Sequence, residues 1–427
     1  MKKTIALVAA LLCSTASSAL SAELTIWVPA IYSPATGLAE GAQLYQELYA
    51  EFEAANPGIT IKYEVIDSSA VGLQQILTAA NAGNMPDVAI VDGQWVGRLV
   101  ESDLLVGLNK YWPAEDQADF HPAAMASQVI DGEAYAVMFQ TGMRGMIYRP
   151  STLSSVGVES FPTTWDGLLD LAEKLKSTAS SPVMLPGKAA NEPAMIYLLS
   201  IFWGLGGQVV DADGSPIIFE GENAAKLEQT LSLFKQLVDN GAMTTEVSVL
   251  DEVGMRPYFY GGDAAIVGQS STAIRTIWTE MPDTKGDLAV AAIPLPEGVA
   301  PVTVVGGYSY AITTKDPAEQ DAAWKFISFM TEPGNLGRTN ETLGQLPLRN
   351  SIWETNEFFL NDPVMKGFRE LYLRESRVRP SVPIYQAISS AVTTELSSVL
   401  IGQVTPAEAV QRARDVVMVE YERQKLR

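Results

Sequence analysis

The sequence predicts an α/β fold in two domains, and three observations carry that reading. The chain has 427 residues, enough for two domains of ordinary size. Near its start, short apolar strands alternate with amphipathic helices. This βαβαβ order builds a mostly parallel sheet covered by helices. The composition is globular, 47% hydrophobic and 19% charged, with no low-complexity tract.

Residues 1–22 read as an export signal. Lys2 and Lys3 precede the apolar run Ile5 to Leu12, and small residues follow, with cleavage expected after Ala19 or Ala22. The run is too short to span a bilayer as a mature helix. Cys13, the one cysteine of the chain, falls inside the signal segment, just after that run. Leu12 stands where a lipid-anchor signal wants a small residue. The exported chain is expected to carry no disulfide, thiol nucleophile or thiolate metal site, and to reside in the periplasm. The formal charge of −21 becomes about −23 without Lys2 and Lys3. A phosphate backbone repels such a chain, which argues against a nucleic-acid partner.

The elements follow in order. Leu24 to Val28 is a first strand that carries Trp27 and breaks at Pro29. Tyr32 and Pro34 lie in the loop beyond it. Leu44, Leu48 and Phe52 fall four residues apart on one helix face, and "NPG" ends that helix. "ITIKYEVI" is a strand. Leu73, Ile76, Leu77 and Ala80 have helical spacing, with Gly83 as the stop. "DVAIV", Asp87 to Val91, is the third strand.

The middle is richer in helix. Thr163 or Thr164 caps "WDGLLDLAEKLKS". "EPAMIYLLSIFWGLGG" is a long apolar helix, and "GENAAKLEQTLSLFKQLVDNGAM" an amphipathic one. "YFYGGDAAIVGQSS" reads as a turn, a buried strand Ala264 to Val267 and a polar loop. "DPAE" offers Asp316 as N-cap with Pro317 and Glu319 behind it, and "TPAE", Thr405 to Glu408, repeats the arrangement. No single linker divides the chain, so two domains must be joined by several short crossings.

Ligands in open α/β sheets sit beyond the carboxyl ends of the strands. That rule selects four loops: Pro29 to Pro34, Asp92 to Trp95, Gly268 to Thr272, and Gly306 to Tyr308. A polar ligand with apolar faces needs planar hydrogen-bond partners and aromatic surfaces. Asp92 and Gln94 beside Trp95 supply both, Ser270 and Ser271 add hydroxyls, and Gly306 and Gly307 expose backbone N–H groups. Tyr32 is placed at the cleft mouth, and Trp27 in the core. Trp95 equally fits packing under its own helix, and Asp92, Gln94, Ser270 and Ser271 equally fit helix caps.

Four stretches resemble one family. "FEAANPGITIKYEV", "NAGNMPDVAIVDGQWVGRLVESDLLVGLN", "YGGDAAIVGQSS" and "GGYSYAITTKDPAEQDAAWKFISFM" with "LGQLPLRNSIW" are similar, in order and spacing, to segments of the extracellular sugar-binding proteins of bacterial ABC importers, the group that includes maltose-binding protein. Two departures stand out. Ser102-Asp103 replaces a glycine the family favours, and Val137-Met138 stands where the family has a proline.

The resemblance implies a type II periplasmic binding protein, with a cleft between two lobes and several hinge crossings near Gln140, Gly306 and Ser351. The lobes would be residues 23–139 with 307–350 and residues 140–306 with 351–427. It also implies a monomer that closes on a carbohydrate and presents it to the permease, without a cofactor. It places Asn191 and Glu192 in a ligand loop, and Arg377 and Arg379 in a segment that returns to the cleft.

Arg144, near the first crossing, calls for an anionic or polyol partner, or for a carboxylate across the hinge. An arginine cluster would favour an anionic sugar, a scattered arrangement a neutral one. His121, the one histidine, reads as a solvated loop residue. With no mature cysteine beside it, a zinc site or a Ser-His triad is disfavoured. Two rivals remain: a receptor for a polyol, osmolyte or polyamine, and an exported glycosidase working with two carboxylates.

Overall fold

The computed structural model of the protein describes residues 22–68 and 70–426. The expected export signal, Cys13 included, lies outside the described residues except for Ala22, which opens the first strand.

Two sheets organise the molecule. The first has five strands in the order Ile59–Ile66, Ala22–Pro29, Val88–Asp92, Tyr308–Ile312 and Val137–Met138. The first three pair in parallel, as the βαβαβ pattern requires. Tyr308–Ile312 returns from far along the chain and pairs antiparallel to both neighbours. Val137 and Met138 complete this sheet, and a proline there would lack the N–H a strand donates.

The second sheet runs Ala289–Ala291, Arg144–Tyr148, Ile266–Ser270, Val183–Met184. It is mainly antiparallel; only Ile266–Ser270 and Val183–Met184 run parallel. The expectation of a mostly parallel sheet therefore holds for the start of the chain and fails beyond it. A helical crossover permits parallel order without imposing it, and in the second sheet Arg144–Tyr148 runs opposite to both its neighbours.

The segments between the sheets run side by side. Gln140–Thr141 pairs antiparallel with Leu346–Pro347, and the Thr141 hydroxyl donates to the Gly306 carbonyl at 3.0 Å. Gly307 has to be glycine. A Cβ there would lie 1.9 Å from the Gln140 carbonyl oxygen.

Local signals explain most helix ends. Thr164 accepts from the Gly167 N–H, and Thr405 with Glu408 closes a full capping box. Asp316 caps through the Ala318 N–H, but Glu319 turns away to accept from the Thr314 hydroxyl. Asp103 takes a left-handed conformation, φ 55°, the geometry that makes glycine usual there. The strand expected over Ala264 to Val267 is shifted to Ile266–Ser270, because Gly262 ends the preceding helix in a left-handed turn at φ 85°.

The first sheet has one open side. Ile59–Ile66 is its edge strand, with Tyr63 and Val65 exposed. Lys62 stands at its middle, 3.8 Å from both Glu23 and Glu64.

Candidate ligand-binding site

Strand Val88–Asp92 delivers the first group. Asp92 ends the strand, and its carboxylate accepts from the Gln94 N–H at 2.9 Å, capping a single turn over Gly93–Trp95. The capping role anticipated for Asp92 is thus present, and it leaves Asp92 and Gln94 together at the strand end. Gly93 donates its N–H to the Gly307 carbonyl at 2.8 Å, and Tyr308 lies opposite Asp92 in the sheet.

Helix Glu192–Gly204 delivers the second group. Asn191 is its N-cap, accepting from the Ala194 N–H at 3.1 Å. Glu192 occupies the first turn, where the positive helix end favours a carboxylate. The third group is Arg379, just after strand Ser376–Val378, which pairs with Thr303–Val305.

These groups meet. Arg379 Nη1 donates to Glu192 Oε1 at 2.8 Å, and Nη2 lies 4.0 Å from Asp92 Oδ1. The Gln94 amide lies 2.6 Å from both Nη1 and Nη2, and since these are donors the amide is assigned with its oxygen toward the guanidinium, as acceptor. Glu192 also accepts from the Tyr385 hydroxyl at 2.8 Å and from the Ser389 hydroxyl. The Arg379 side chain is 11% exposed.

Burial pushes the Asp92 carboxyl above its ordinary range, and the Arg379 guanidinium offsets that only in part. For Arg379 itself, burial works against the charge, but Asp92 and Glu192 outweigh it and raise the value. Tyr308 is pushed up to about 12, first by burial and then by Asp92.

Beside this network lies a cavity of about 250 Å³. Gln94, Trp95 and Gln74 line it from one side, Pro383, Tyr385 and Gln386 from the other. Trp95 is half-buried, so it serves both readings, packing on its lobe and walling the cavity.

Six of the twelve expected residues therefore converge: Asp92, Gln94, Glu192 and Arg379 in one network, with Gly307 and Tyr308 against it. Trp95 adjoins them through the cavity. Arg144 and Ser270 lie opposite one another on adjacent strands in a second cluster. There Arg144 Nε donates to Glu252 at 3.2 Å and Nη1 to the Gly142 carbonyl at 2.7 Å, while Tyr197 donates to the same Glu252 at 3.3 Å. Ser270 caps the turn Ser271–Ala273, and the Ser271 hydroxyl is buried without a partner among the described residues. Asn191 spends its side-chain oxygen on its cap.

Of the two early aromatics, Tyr32 departs from its expected place, while Trp27 packs against the core as expected but stays partly exposed. Tyr32 is 2% exposed. Its hydroxyl accepts from Gln140 at 2.8 Å and Gln345 at 3.1 Å, and its ring packs on Phe139 and Tyr308. In this conformer it lies under the crossings rather than at an open mouth. Trp27 is half-buried on the other face of its strand and donates to Glu64 at 3.1 Å.

His121 is not solvated. It is 6% exposed, caps a short helix through the Ala123 N–H and contacts the Tyr372 carbonyl at 3.2 Å. A Pro at the following position pre-forms the first helical turn, which draws the ring inward as its cap.

Sequence reading missed Ser381, Tyr385 and Ser389. Tyr385 and Ser389 are four apart on helix Tyr385–Leu400, so one face brings both hydroxyls to Glu192. That spacing downstream of Arg379 was an available signal.

A binding protein of Brucella abortus is 24% identical over 93% of this chain and 93% of its own. A lactose-binding protein of Rhizobium radiobacter is 24% identical, covering 95% and 94%. The sugar-binding protein MalE of Xanthomonas citri shares the fold with a TM-score of 0.80, at 21% identity over 95% of this chain and 99% of that one. These relatives are binding proteins. The model of the bacterial extracellular solute-binding proteins matches residues 35–336, most of the described chain, and the protein belongs to that family.

Proposed function

We propose that the protein is a periplasmic receptor of an ABC importer that captures a neutral carbohydrate by lobe closure and hands it to the permease. The lobes comprise residues 23–139 with 307–350 and residues 140–306 with 351–427. One observation carries the ligand class: each candidate arginine already has its own carboxylate. Arg379 pairs with Glu192 and Asp92, Arg144 with Glu252, and Arg377 with Glu375 on the surface. Among the described residues these three form no arginine cluster, and at each of them an extra carboxylate would have to displace an existing one. The cavity is lined by amides, hydroxyls, aromatics and apolar side chains, with one residue of each charge, Arg98 and Glu101, so its lining has no net charge and suits sugar hydroxyls and C–H faces. The names of the lactose-binding relative and of MalE support the same class.

A thermal-shift panel tests this. Lactose, maltotriose, galacturonic acid and spermidine are compared at equal concentration. Binding to the native state raises the melting temperature by mass action. A neutral sugar is expected to give the largest rise. A rise with galacturonic acid or spermidine alone refutes the neutral-sugar reading, and turnover of a labelled oligosaccharide refutes the receptor reading.

A further inference from the structure

We propose that Arg379 is a positioning residue that straps the two lobes together before any ligand arrives. The proposal rests on the receptor reading only in taking the lobes to open and close.

Four observations support the strap. Its partners lie on different bodies: Asp92 and Gln94 end a strand of the first sheet, while Glu192 opens a helix that packs with Tyr385–Leu400 and Thr303–Val305. The guanidinium therefore spans a junction. The contacts are close, 2.6 Å from two nitrogens to Gln94 and 2.8 Å to Glu192.

Neighbouring residues repeat the span. Ser381 donates to the Gln94 carbonyl, and a Cβ at Gly97 would sit 3.1 Å from the Ser381 hydroxyl oxygen. A Cβ at Gly306 would sit 3.1 Å from Arg379 Nη2, so the strap is fitted on that side as well. Residues 379–381 thus hold residues 92–97 at several points.

Finally, the strap is asymmetric. Glu192 has Tyr385 and Ser389 besides Arg379, all from the same neighbourhood. When the lobes part, Arg379 stays with Glu192, and the Asp92–Gln94 loop loses the guanidinium. The charge-assisted, forked geometry makes the contact orientation-specific, so it selects one closed arrangement. A ligand binding that arrangement pays less of the closure cost.

Small-angle X-ray scattering on the ligand-free protein reads the strap directly. Wild type is expected to show the compact radius of gyration of the conformer described above. Arg379→Met is expected to expand, and Arg379→Lys, which keeps the charge but loses the fork, to fall between. If Arg379→Met fails to fold by circular dichroism, Gln94→Ala removes the main acceptor without stranding a buried charge and is expected to expand likewise. An already expanded wild type, or identical curves for wild type and folded variants, overturns the strap.

The sugar reading is scored separately. Sugars that raise the melting temperature while scattering stays variant-independent refute the strap and leave the receptor. Variant-dependent scattering with no stabilising sugar supports the strap and refutes the sugar.

Discussion

Arg349 and Arg379 are both buried arginines, each facing two carboxylates, with side chains 7% and 11% exposed. They differ in what the carboxylates belong to. Arg349 donates to Asp119 at 2.9 Å, to Asp116, and to the Thr331 carbonyl at 2.9 Å, and it lies over the Phe120 ring. Asp119 in turn accepts from the Ser351 N–H and hydroxyl, and the Asp119 carbonyl accepts from the Asn350 N–H. Every partner is tied to the others by backbone, so this arginine has one arrangement. Arg379 joins groups that the backbone leaves separable. The same chemistry acts as a rivet in one place and as a strap in the other.

The largest test of that contrast is Arg349→Met. It leaves the Thr331 carbonyl without this donor, Asp119 with only its Ser351 bonds and Asp116 with only Trp112, and is expected to cost about 3 kcal/mol in chemical denaturation. A cost near zero would break the comparison. Gly307→Ala comes next. Its Cβ would press on the Gln140 carbonyl at the crossings, with an expected loss of about 1–3 kcal/mol. Arg379→Met is expected to lose only about 1 kcal/mol of global stability, because the lobes can part and water can reach Asp92. A loss equal to that of Arg349→Met would make it a second rivet.

The smallest effect is one of sign with pH. Burial pushes Asp119 upward, but Ser351 and Arg349 together hold it below its ordinary value. Its contribution to stability is present above the unfolded value and is lost as pH falls through the folded one. Asp92 is raised by burial, so its contribution is present at low pH and is lost as pH rises through its folded value. Unfolding free energies from pH 7 to 3 for wild type, Asp119→Asn and Asp92→Asn check this. The wild-type advantage over Asp119→Asn is expected to shrink on acidification, and its standing against Asp92→Asn to improve.

Much of the fold was legible in local signals. Thr164, Thr405 and Gly262 act where their side chains or their freedom at positive φ predict. The edges of legibility have physical causes. Strand Ala22–Pro29 alternates, burying Leu24, Ile26 and Val28 on one face and turning Trp27 to the other, where it packs, partly buried, against a second core that includes Ala89, Val91 and Leu99. Tyr32 is buried by Phe139, Tyr308, Gln140 and Gln345, all distant in sequence, and no local pattern announces them. The site was legible where strand ends define it, at Asp92, Gln94, Gly307 and Tyr308. Arg379 and Glu192 were legible only through resemblance. Their pairing across 187 positions is a tertiary fact.

The open side of the first sheet bears on how the chain keeps from joining its copies. An edge strand offers unpaired N–H and C=O groups to any passing strand, and Ile59–Ile66 adds exposed Tyr63 and Val65. Lys62 precedes them on the opposite face of the strand, held near Glu23 and Glu64. An incoming strand would have to strip water from this ammonium and its carboxylates before gaining its first ladder bond. The sheet is thus guarded against self-association by the hydration of one lysine, placed midway along its only long free border among the described residues.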